Sequence, residues 1–296
     1  MNAETIKGKA YALIDKNREK ILAIERKIWK HPETGFKEEQ TGQLVVEIFK
    51  DLGLPCKTNL AVTGCRADLE YGKEGPRLAI LGELDSILLP SHPAADPITG
   101  AVHACGHHLQ IANLIAAAIA LSSEEVARYL GGSIALIAVP AEEFLETGYR
   151  LSLVKQGIIR YCGGKAEMIR LGVFNDIDAA IMLHSGNGYA VAESYNGFFM
   201  KKVTFIGKAA HGGLSPWEGI NALHAANLAF DAINAQRETF KDEDSVRVHS
   251  IITKGGMAVN VVPDEVVLEI QVRAKTKEAV VNASHKVDRA MQAGAL

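Results

Sequence analysis

Short apolar runs alternate with longer segments of helical periodicity in the first two thirds of the chain. The runs at residues 78–81, 133–139 and 179–183 consist mainly of Ala, Ile, Leu and Val, which is typical of parallel strands buried on both faces. Helical patterns at 110–129 and 147–156 separate them. This alternation predicts an α/β fold, a layered domain with a mainly parallel sheet.

The pattern changes near residue 195. A predicted strand, helix, strand, strand and helix follow, at 199–205, 218–234, 246–253, 266–273 and 277–292. This β-α-β-β-α order with long strands predicts a separate, smaller two-layer α+β domain. We therefore divide the chain into a first domain of residues 1–194 and a second domain of residues 195–296.

The charge balance, the apolar stretches and the cysteines of the chain indicate which partners and which cellular compartment to expect. Lys and Arg total 32 against 35 Asp and Glu, so we expect no nucleic acid and no anionic membrane as a partner. No apolar stretch reaches the roughly 20 residues of a membrane helix, and the first residues lack the apolar block of a signal peptide. The four cysteines form no CxxC pair, which favours a reducing cytoplasm.

The densest polar cluster lies just ahead of the predicted helix at 110–129. It contains His103, Cys105, His107 and His108 within the segment HACGHH. A Cys-x-His pair at the start of a helix presents a thiolate and an imidazole to one ion, which indicates metal ligation. Two alternatives remain open at this point: a buried thiol among core histidines, and a Cys–His nucleophile.

Acidic or imidazole groups follow each of the three predicted strands. These groups are Glu83 and Asp85, then Glu142 and Glu143, and finally His184. Because sites in open α/β sheets form at the carboxyl ends of strands, we expect these groups to converge on Cys105 and His107. In such a site one carboxylate of a Glu–Glu pair can bind metal while its neighbour accepts a proton, although an isolated pair is typical of a solvated loop.

The second domain contributes Gly-marked connections that carry polar groups. His211 lies in the connection at 207–213 and Asn260 in the one at 255–263, while Arg273 ends a predicted strand. His211 is equally well explained as a surface imidazole, and Arg273 as a surface charge unless an anion meets it. The segment GGK at 163–165 lacks the spacing of a phosphate loop, so we predict a turn there.

Taken in order, these motifs resemble a known enzyme family over nearly the whole chain. The matching pieces are HPETGF at 31–36, GELD at 82–85, HACGH at 103–107, PAEE at 140–143, His184, KAAH at 208–211, NVVPD at 260–264 and Arg273. They resemble the two-metal aminoacylase and carboxypeptidase G family, in its branch of amino-acid-conjugate and aminobenzoyl-glutamate amidohydrolases.

The resemblance implies a role for each matching position. Cys105 would bridge two divalent metal ions (Zn, Mn, Co or Ni), with His107 and His184 on one ion, Glu143 on the other, Glu142 as general base and Asp85 behind the ligands. His211, Asn260 and Arg273 would bind substrate from the smaller domain. In such relatives that domain also pairs two subunits, so we expect a homodimer in which His211 reaches the partner's site.

The sequence departs from its relatives in two respects. Many of them have CGHDxH where this chain has His108 and Gln110. Relatives also continue past the smaller domain, return to the catalytic domain and supply a last histidine ligand. We therefore expect the C-terminal part of the catalytic domain to be missing from these residues, with low activity and low solubility as consequences.

The function that explains most of these residues is metal-dependent hydrolysis of the amide bond in small N-acyl or N-aroyl amino acids or dipeptides. An alternative is a truncated pseudoenzyme that binds metal or ligand and dimerises without turnover. A thiol hydrolase using Cys105 and His107 explains least, because it leaves Glu142, Glu143 and His184 without a role.

Overall fold

The computed structural model describes residues 2–296, which divide into two compact units between Gly188 and Tyr189. This division lies shortly before residue 195, where the second domain is predicted to start. Within the described residues, no helix is long and apolar enough to cross a lipid bilayer. Each unit is described separately below.

The first unit contains helices α1 to α7 and strands β1 to β7. The helices are α1 (Ala3–Lys16), α2 (Arg18–Trp29), α3 (Glu39–Asp51), α4 (His107–Ser122), α5 (Glu124–Ala127), α6 (Thr147–Lys155) and α7 (Gly164–Arg170). The strands are β1 (Cys56–Leu60), β2 (Gly64–Glu70), β3 (Arg77–Glu83), β4 (Ile87–Leu88), β5 (Ala101–Val102), β6 (Ser133–Val139) and β7 (Ala179–Met182).

The main sheet has the order β1-β2-β6-β3-β7 and is mixed. Its pairs β6–β3 and β3–β7 are parallel, as predicted for the three apolar runs. The pairs β1–β2 and β2–β6 are antiparallel, so the prediction of a mainly parallel sheet is only partly confirmed. The sequence pattern misses β1 because this short strand, CKTNL, is largely exposed and therefore has no apolar run.

Strand β7 was predicted to be buried, and this prediction is wrong. It forms an edge of the sheet, and Ile181 and Met182 remain 57% and 37% exposed. An edge strand pairs on one side only, so an apolar run does not ensure burial.

Helix α4 packs closely against the sheet. Ile111 and Ile115 are fully buried in the core beside Leu136 of β6. Gly82 permits this approach, because an added Cβ atom would lie 3.1 Å from the Ile111 side chain and 3.3 Å from the Gln110 carbonyl oxygen. The tight packing brings the N-terminus of α4 to the end of β3, where the candidate site lies.

The second unit has the β-α-β-β-α order expected from the sequence. Its elements are β8 (Gly197–Ile206), α8 (Ala222–Gln236), β9 (Arg247–Lys254), β10 (Glu265–Ala274) and α9 (Lys277–Ala295). The strands form an antiparallel sheet with β10 in the centre. Alternate residues of β10 are buried in one core with α8 and α9, as the two-residue period of a strand requires.

The central position of β10 leads to a stability prediction. Leu268 is fully buried, whereas Leu228 on α8 is 61% exposed. Leu268→Ala should lower the free energy of unfolding by about 3 kcal/mol, because it removes buried methyl groups and leaves a cavity. Leu228→Ala is the matched control and should change it by about 0.5 kcal/mol or less. Denaturant titration measures both, and equal losses would contradict the assigned burial.

Candidate metal centre

The candidate site begins where β3 ends and α4 starts. Glu83 and Asp85 follow the apolar part of β3 and are almost completely buried, as is His107, the first residue of α4. Gly106 precedes the helix with φ +92°, and a Cβ atom there would lie 2.3 Å from Ser185 Oγ. Glycine therefore permits both the left-handed backbone and the close approach of the segment that carries His184.

Two imidazoles converge on the Cys105 thiol. Nδ1 of His107 lies 2.7 Å from the backbone oxygen of Asp85, and Nδ1 of His184 lies 2.8 Å from that of Ser185. Such contacts place a proton on Nδ1 of each ring, so Nε2 is the atom that would bind a metal, in exchange for any proton that it carries. Nε2 of His184 is 3.4 Å from Cys105 Sγ, and one ligand atom from each of these three residues lies within 4.8 Å of the others.

A second group of ligand atoms includes Glu83, His107 and Glu142. Nε2 of His107 lies 3.0 Å from Glu83 Oε2 and 4.0 Å from Glu142 Oε2, but it forms no well-directed hydrogen bond within the described chain. Such a buried nitrogen, close to two carboxylates, fits a divalent cation.

Charged neighbours determine the ionisation of Glu83. Burial opposes its ionisation, but the close contact with His107 and the ammonium group of Lys165 lower its pKa to about 2. Lys165 contacts Glu83 directly, and Gln110 donates a hydrogen bond of 2.7 Å to the same carboxylate. For His107, burial opposes protonation, whereas its contacts with Asp85, Cys105 and Glu83 raise the pKa far above its ordinary value.

Glu142 and Glu143 lie in the loop after β6, beside the same groups. The Glu143 amide donates to Asp85 Oδ2 at 2.9 Å. Burial and the charge of Glu83 raise the pKa of Glu142. The hydrogen bond with His107 favours the Cys105 thiolate, but burial and the Glu143 carboxylate outweigh it and raise the pKa of this thiol.

The structure thus gathers at one end of the sheet all the candidate residues of the first domain. These are Asp85, Cys105, His107, Glu142, Glu143 and His184. A thiol, two imidazoles and carboxylates are ligands that suit transition metals. The donor set and the free Nε2 atoms therefore fit the divalent ions that the sequence predicts.

The candidate residues of the second unit fall into two places. His211 pairs with Val261 in an isolated bridge, and the Gly212 amide donates to the Asn260 carbonyl at 2.8 Å, so His211 and Asn260 lie on adjacent loops. Arg273 lies near the far end of β10, about 26 Å along the strand from Glu265. Its Nε donates to Gln271 Oε1 at 2.9 Å. Within this unit, Arg273 therefore does not share a pocket with His211.

Several residues that shape the site were not predicted from the sequence. Glu38 is buried and accepts hydrogen bonds from the Thr63 hydroxyl at 2.6 Å and the Ala141 amide at 2.7 Å. The predicted turn at 163–165 is instead the start of α7, where Gly164 approaches the Pro140 carbonyl too closely for any side chain. The start of α7 places Lys165 against Glu83. In the sequence, the two glycines and the lysine of GGK were the only signal that marked this segment.

Comparison with known proteins tests the family resemblance inferred from the motifs. Residues 196–296 match the family described as peptidase dimerisation domain, M20_dimer. Xaa-Arg dipeptidase of Mus musculus is 28% identical over 99% of this chain and 64% of its own length. One of the p-aminobenzoyl-glutamate hydrolase chains of Escherichia coli K12 is 28% identical over 96% of this chain and 56% of its own length. The resemblance inferred from the motifs is confirmed.

Solved structures have the same fold. An aminobenzoyl-glutamate utilization protein from Klebsiella pneumoniae superposes with a TM-score of 0.69 at 22% identity, covering 95% of this chain and 73% of its own. A dinuclear metal-binding peptidase of the M20 family from Bacillus subtilis gives 0.63 at 21% identity, covering 95% and 71%. The chain spans less than two thirds of the length of the mouse and Escherichia coli relatives.

The ionisation of Glu38 leads to a pH prediction. Burial, followed by the charge of Asp85, raises the pKa of Glu38 to about 8. The folded state therefore binds this proton more tightly than the unfolded state, so the resulting stability is fully present below about pH 4.5 and is lost as the pH rises through about 8. Glu38→Gln should remove this loss, which is on the order of 5 kcal/mol.

Thermal unfolding of the metal-free protein between pH 5.5 and 9 measures the effect. Relative to the wild-type protein, Glu38→Gln should gain stability as the pH rises. Glu47→Gln, at an exposed position on α3, the helix that Glu38 precedes, is the control and should run parallel to the wild type. Parallel curves for both variants would show that Glu38 is ionised in the folded protein throughout this range.

Proposed function

We propose, from the M20-type dimerisation domain and the dipeptidase and amidohydrolase homologues, that the chain belongs to a metal-dependent hydrolase of linear amide bonds. Its substrates are small N-acyl or N-aroyl amino acids or dipeptides. The observation that carries this proposal is the arrangement of His107 and His184, whose Nδ1 atoms lie against backbone oxygens while each ring has a nitrogen within 4.8 Å of the Cys105 thiol. Glu142 lies beside this group.

The ligands divide between two divalent ions, which are Zn, Mn, Co or Ni. Cys105 would serve both ions, His107 and His184 would hold one of them, and Glu143 would hold the other. Divalent ions at such a site supply a Lewis acid and lower the pKa of water. Asp85 orients the ligands from behind, since it contacts His107 on one side and the Glu143 amide on the other.

Glu142 transfers the proton in this reaction. Its carboxylate lies 4.0 Å from His107, and its raised pKa moves it toward the working range of a general base. It takes a proton from the attacking water and delivers it to the leaving amine. The raised pKa of the Cys105 thiol argues against a thiolate nucleophile, because little thiolate would form near pH 7 without a metal.

The second unit supplies substrate contacts and pairs two subunits in a homodimer. His211 and Asn260 form one binding surface, and Arg273 offers a guanidinium to the substrate carboxylate. Arg273 lies near the end of β10, whereas His211 lies near its beginning. We therefore assign His211 to the partner subunit's site. All four cysteines are free, which fits a reducing cytoplasm.

Metal content and hydrolysis together test these roles. Glu142→Gln should keep nearly the wild-type metal content but lose hydrolysis by about 100-fold or more, because an amide cannot act as a base. Cys105→Ala should lose most of the metal as well as the activity. Glu124→Gln, on α5, is the matched control and should change neither. Elemental analysis and assays of N-acyl amino acids, with and without chelator, give both quantities.

Three outcomes would contradict the assignment. Loss of metal in Glu142→Gln would make Glu142 a ligand, and full occupancy in Cys105→Ala would remove its bridging role. Activity that resists chelation but disappears in Cys105→Ala would indicate a thiol hydrolase. Metal binding by the wild-type protein with no hydrolysis of any acyl amino acid or dipeptide would favour binding without turnover.

Assembly provides a separate test. The second unit has an exposed edge strand, β9, on which Ile251 is 60% exposed, and burial against a second copy would cover such an edge. Light scattering should therefore give twice the chain mass of 31.9 kDa. A mass equal to one chain across a wide concentration range would contradict the homodimer.

A further inference from the structure

The loop that carries Glu142 and Glu143 has an unusual backbone. This acidic loop comprises residues 140–146, between β6 and α6. Ala141 has φ +52° and Glu146 has φ +49°, so a non-glycine residue near each end adopts the left-handed region. Each such residue costs on the order of 1 kcal/mol, and the conformation persists only where its surroundings hold it.

A buried guanidinium holds the carbonyl groups of this loop. Arg150 on α6 is only 2% exposed. It donates to the carbonyl oxygens of Ala141 at 3.2 Å and Cys162 at 2.5 Å, and also to that of Glu143. One side chain thus fixes the backbone on both sides of Glu142, and it joins the loop to the segment that precedes α7.

Buried carboxylates hold the amide groups of the same loop. Glu38 accepts from the Ala141 amide at 2.7 Å, and Asp85 accepts from the Glu143 amide at 2.9 Å. Ala141 and Glu143 are therefore each bound through both backbone groups, with Arg150 on the carbonyl side. The charge of Asp85 in turn stabilises the guanidinium.

The space around Arg150 is shaped for a planar group. The rings of Phe36 and Phe144 lie 5.4 and 5.5 Å from its central carbon. Gly35 leaves room for it, because a Cβ atom there would lie 2.3 Å from Arg150 Nη2. At 2% exposure, the guanidinium is not available to bind a substrate carboxylate. Its Nη1 and Nη2 atoms donate to backbone oxygens, which is the role of a positioning residue.

We propose that Arg150 is a positioning residue that fixes the acidic loop so that Glu142 and Glu143 point into the metal centre. The expected effect of Arg150 on catalysis rests on the proposed function, whereas its expected effect on the loop backbone does not. A lysine at this position would bring one ammonium group in place of a planar fork, and could not reach three carbonyl oxygens in different directions. Arg150→Lys therefore tests geometry while keeping the charge.

The matched control is Arg66→Lys. Arg66 is a second buried arginine of the first unit, 4% exposed, and it binds Asp68, Asp176 and the Val173 carbonyl rather than the acidic loop. Both variants lose a planar guanidinium from the interior. Their thermal stabilities therefore measure how much stability is lost when any buried arginine is replaced by lysine. Effects confined to Arg150→Lys report positioning.

Hydrogen exchange followed by mass spectrometry measures the loop directly in the metal-free protein. In Arg150→Lys, exchange of peptides covering residues 141–146 should be about tenfold faster than in the wild type, because opening of the loop has lost hydrogen bonds that opposed it. Peptides from β6 should keep their protection. Arg66→Lys should leave exchange in the acidic loop unchanged.

Kinetics and metal binding measure the consequence for the site. Arg150→Lys should lower kcat by about 100-fold, because a displacement of about 1 Å misplaces a catalytic group, while KM changes little. In Zn²⁺ titrations it should weaken the ion bound through Glu143 and spare the ion bound by His107 and His184. Arg66→Lys should change neither kcat nor the titration.

The outcomes separate this inference from the proposed function. Unchanged loop exchange in Arg150→Lys would overturn it, and so would equal acceleration of the loop in Arg66→Lys. If the wild-type protein neither binds Zn²⁺ nor hydrolyses acyl amino acids, the proposed function fails. The exchange comparison then still decides whether Arg150 holds the loop. Should Arg150→Lys fail to fold, Arg150→Gln with the same measurements replaces it, because it removes the guanidinium without burying an ammonium group, and unchanged loop exchange there would overturn the inference.

Discussion

Burial of charge at the carboxyl end of β3 is the constraint on which the site depends. Glu83, Asp85 and His107 are each at most 1% exposed. An isolated ion in such surroundings would cost several kcal/mol, so each group requires a partner in the fold. Lys165 and Gln110 supply partners for Glu83, and the Glu143 amide supplies one for Asp85. Helices α4 and α7 and the loop after β6 must therefore meet at this point.

The strands whose position and burial could both be predicted from the sequence are buried ones, because burial requires apolar residues along the strand. Strands β3 and β6 lie inside the sheet, and β10 alternates between a covered and an open face, so all three carry clear apolar patterns. Strand β1 lies at an edge and has no such pattern, while β7 has one although it is exposed. A hydrophobic pattern thus indicates a potential for burial, but pairing partners and covering elements decide whether burial occurs.

The same distinction applies to the site. Cys105 and His107 could be identified as candidate ligands because a Cys-x-His pair at the start of a helix is a local sequence pattern that is typical of metal ligands. Glu38 and Arg150 could not, because their importance comes from contacts with backbone groups far along the chain: the Ala141 amide for Glu38 and the Cys162 carbonyl for Arg150. A lone charged residue in a helical segment is usually on the surface, and nothing local marks it as buried.

His108 and Gln110, which replace the Asp and His of the CGHDxH pattern, both fit the charges that surround Glu83 and His107. Gln110 donates to Glu83 Oε2 at 2.7 Å and accepts from the Glu83 amide at 3.3 Å, so a neutral group fits around this carboxylate. Burial, followed by the charge of His107, lowers the pKa of His108 to about 4, and the ring packs against Trp29 as a neutral group near pH 7.

An aspartate at position 108, as in the resembling pattern, would add an anion next to His107. Without it, Asp85 contacts the Nδ1 side of His107 with both its backbone oxygen, at 2.7 Å, and its carboxylate, at 3.2 Å. The orientation of His107 therefore depends on Asp85. Because Asp85 also accepts the Glu143 amide, the imidazole and the acidic loop are held by one carboxylate, and displacement of either would disturb the other.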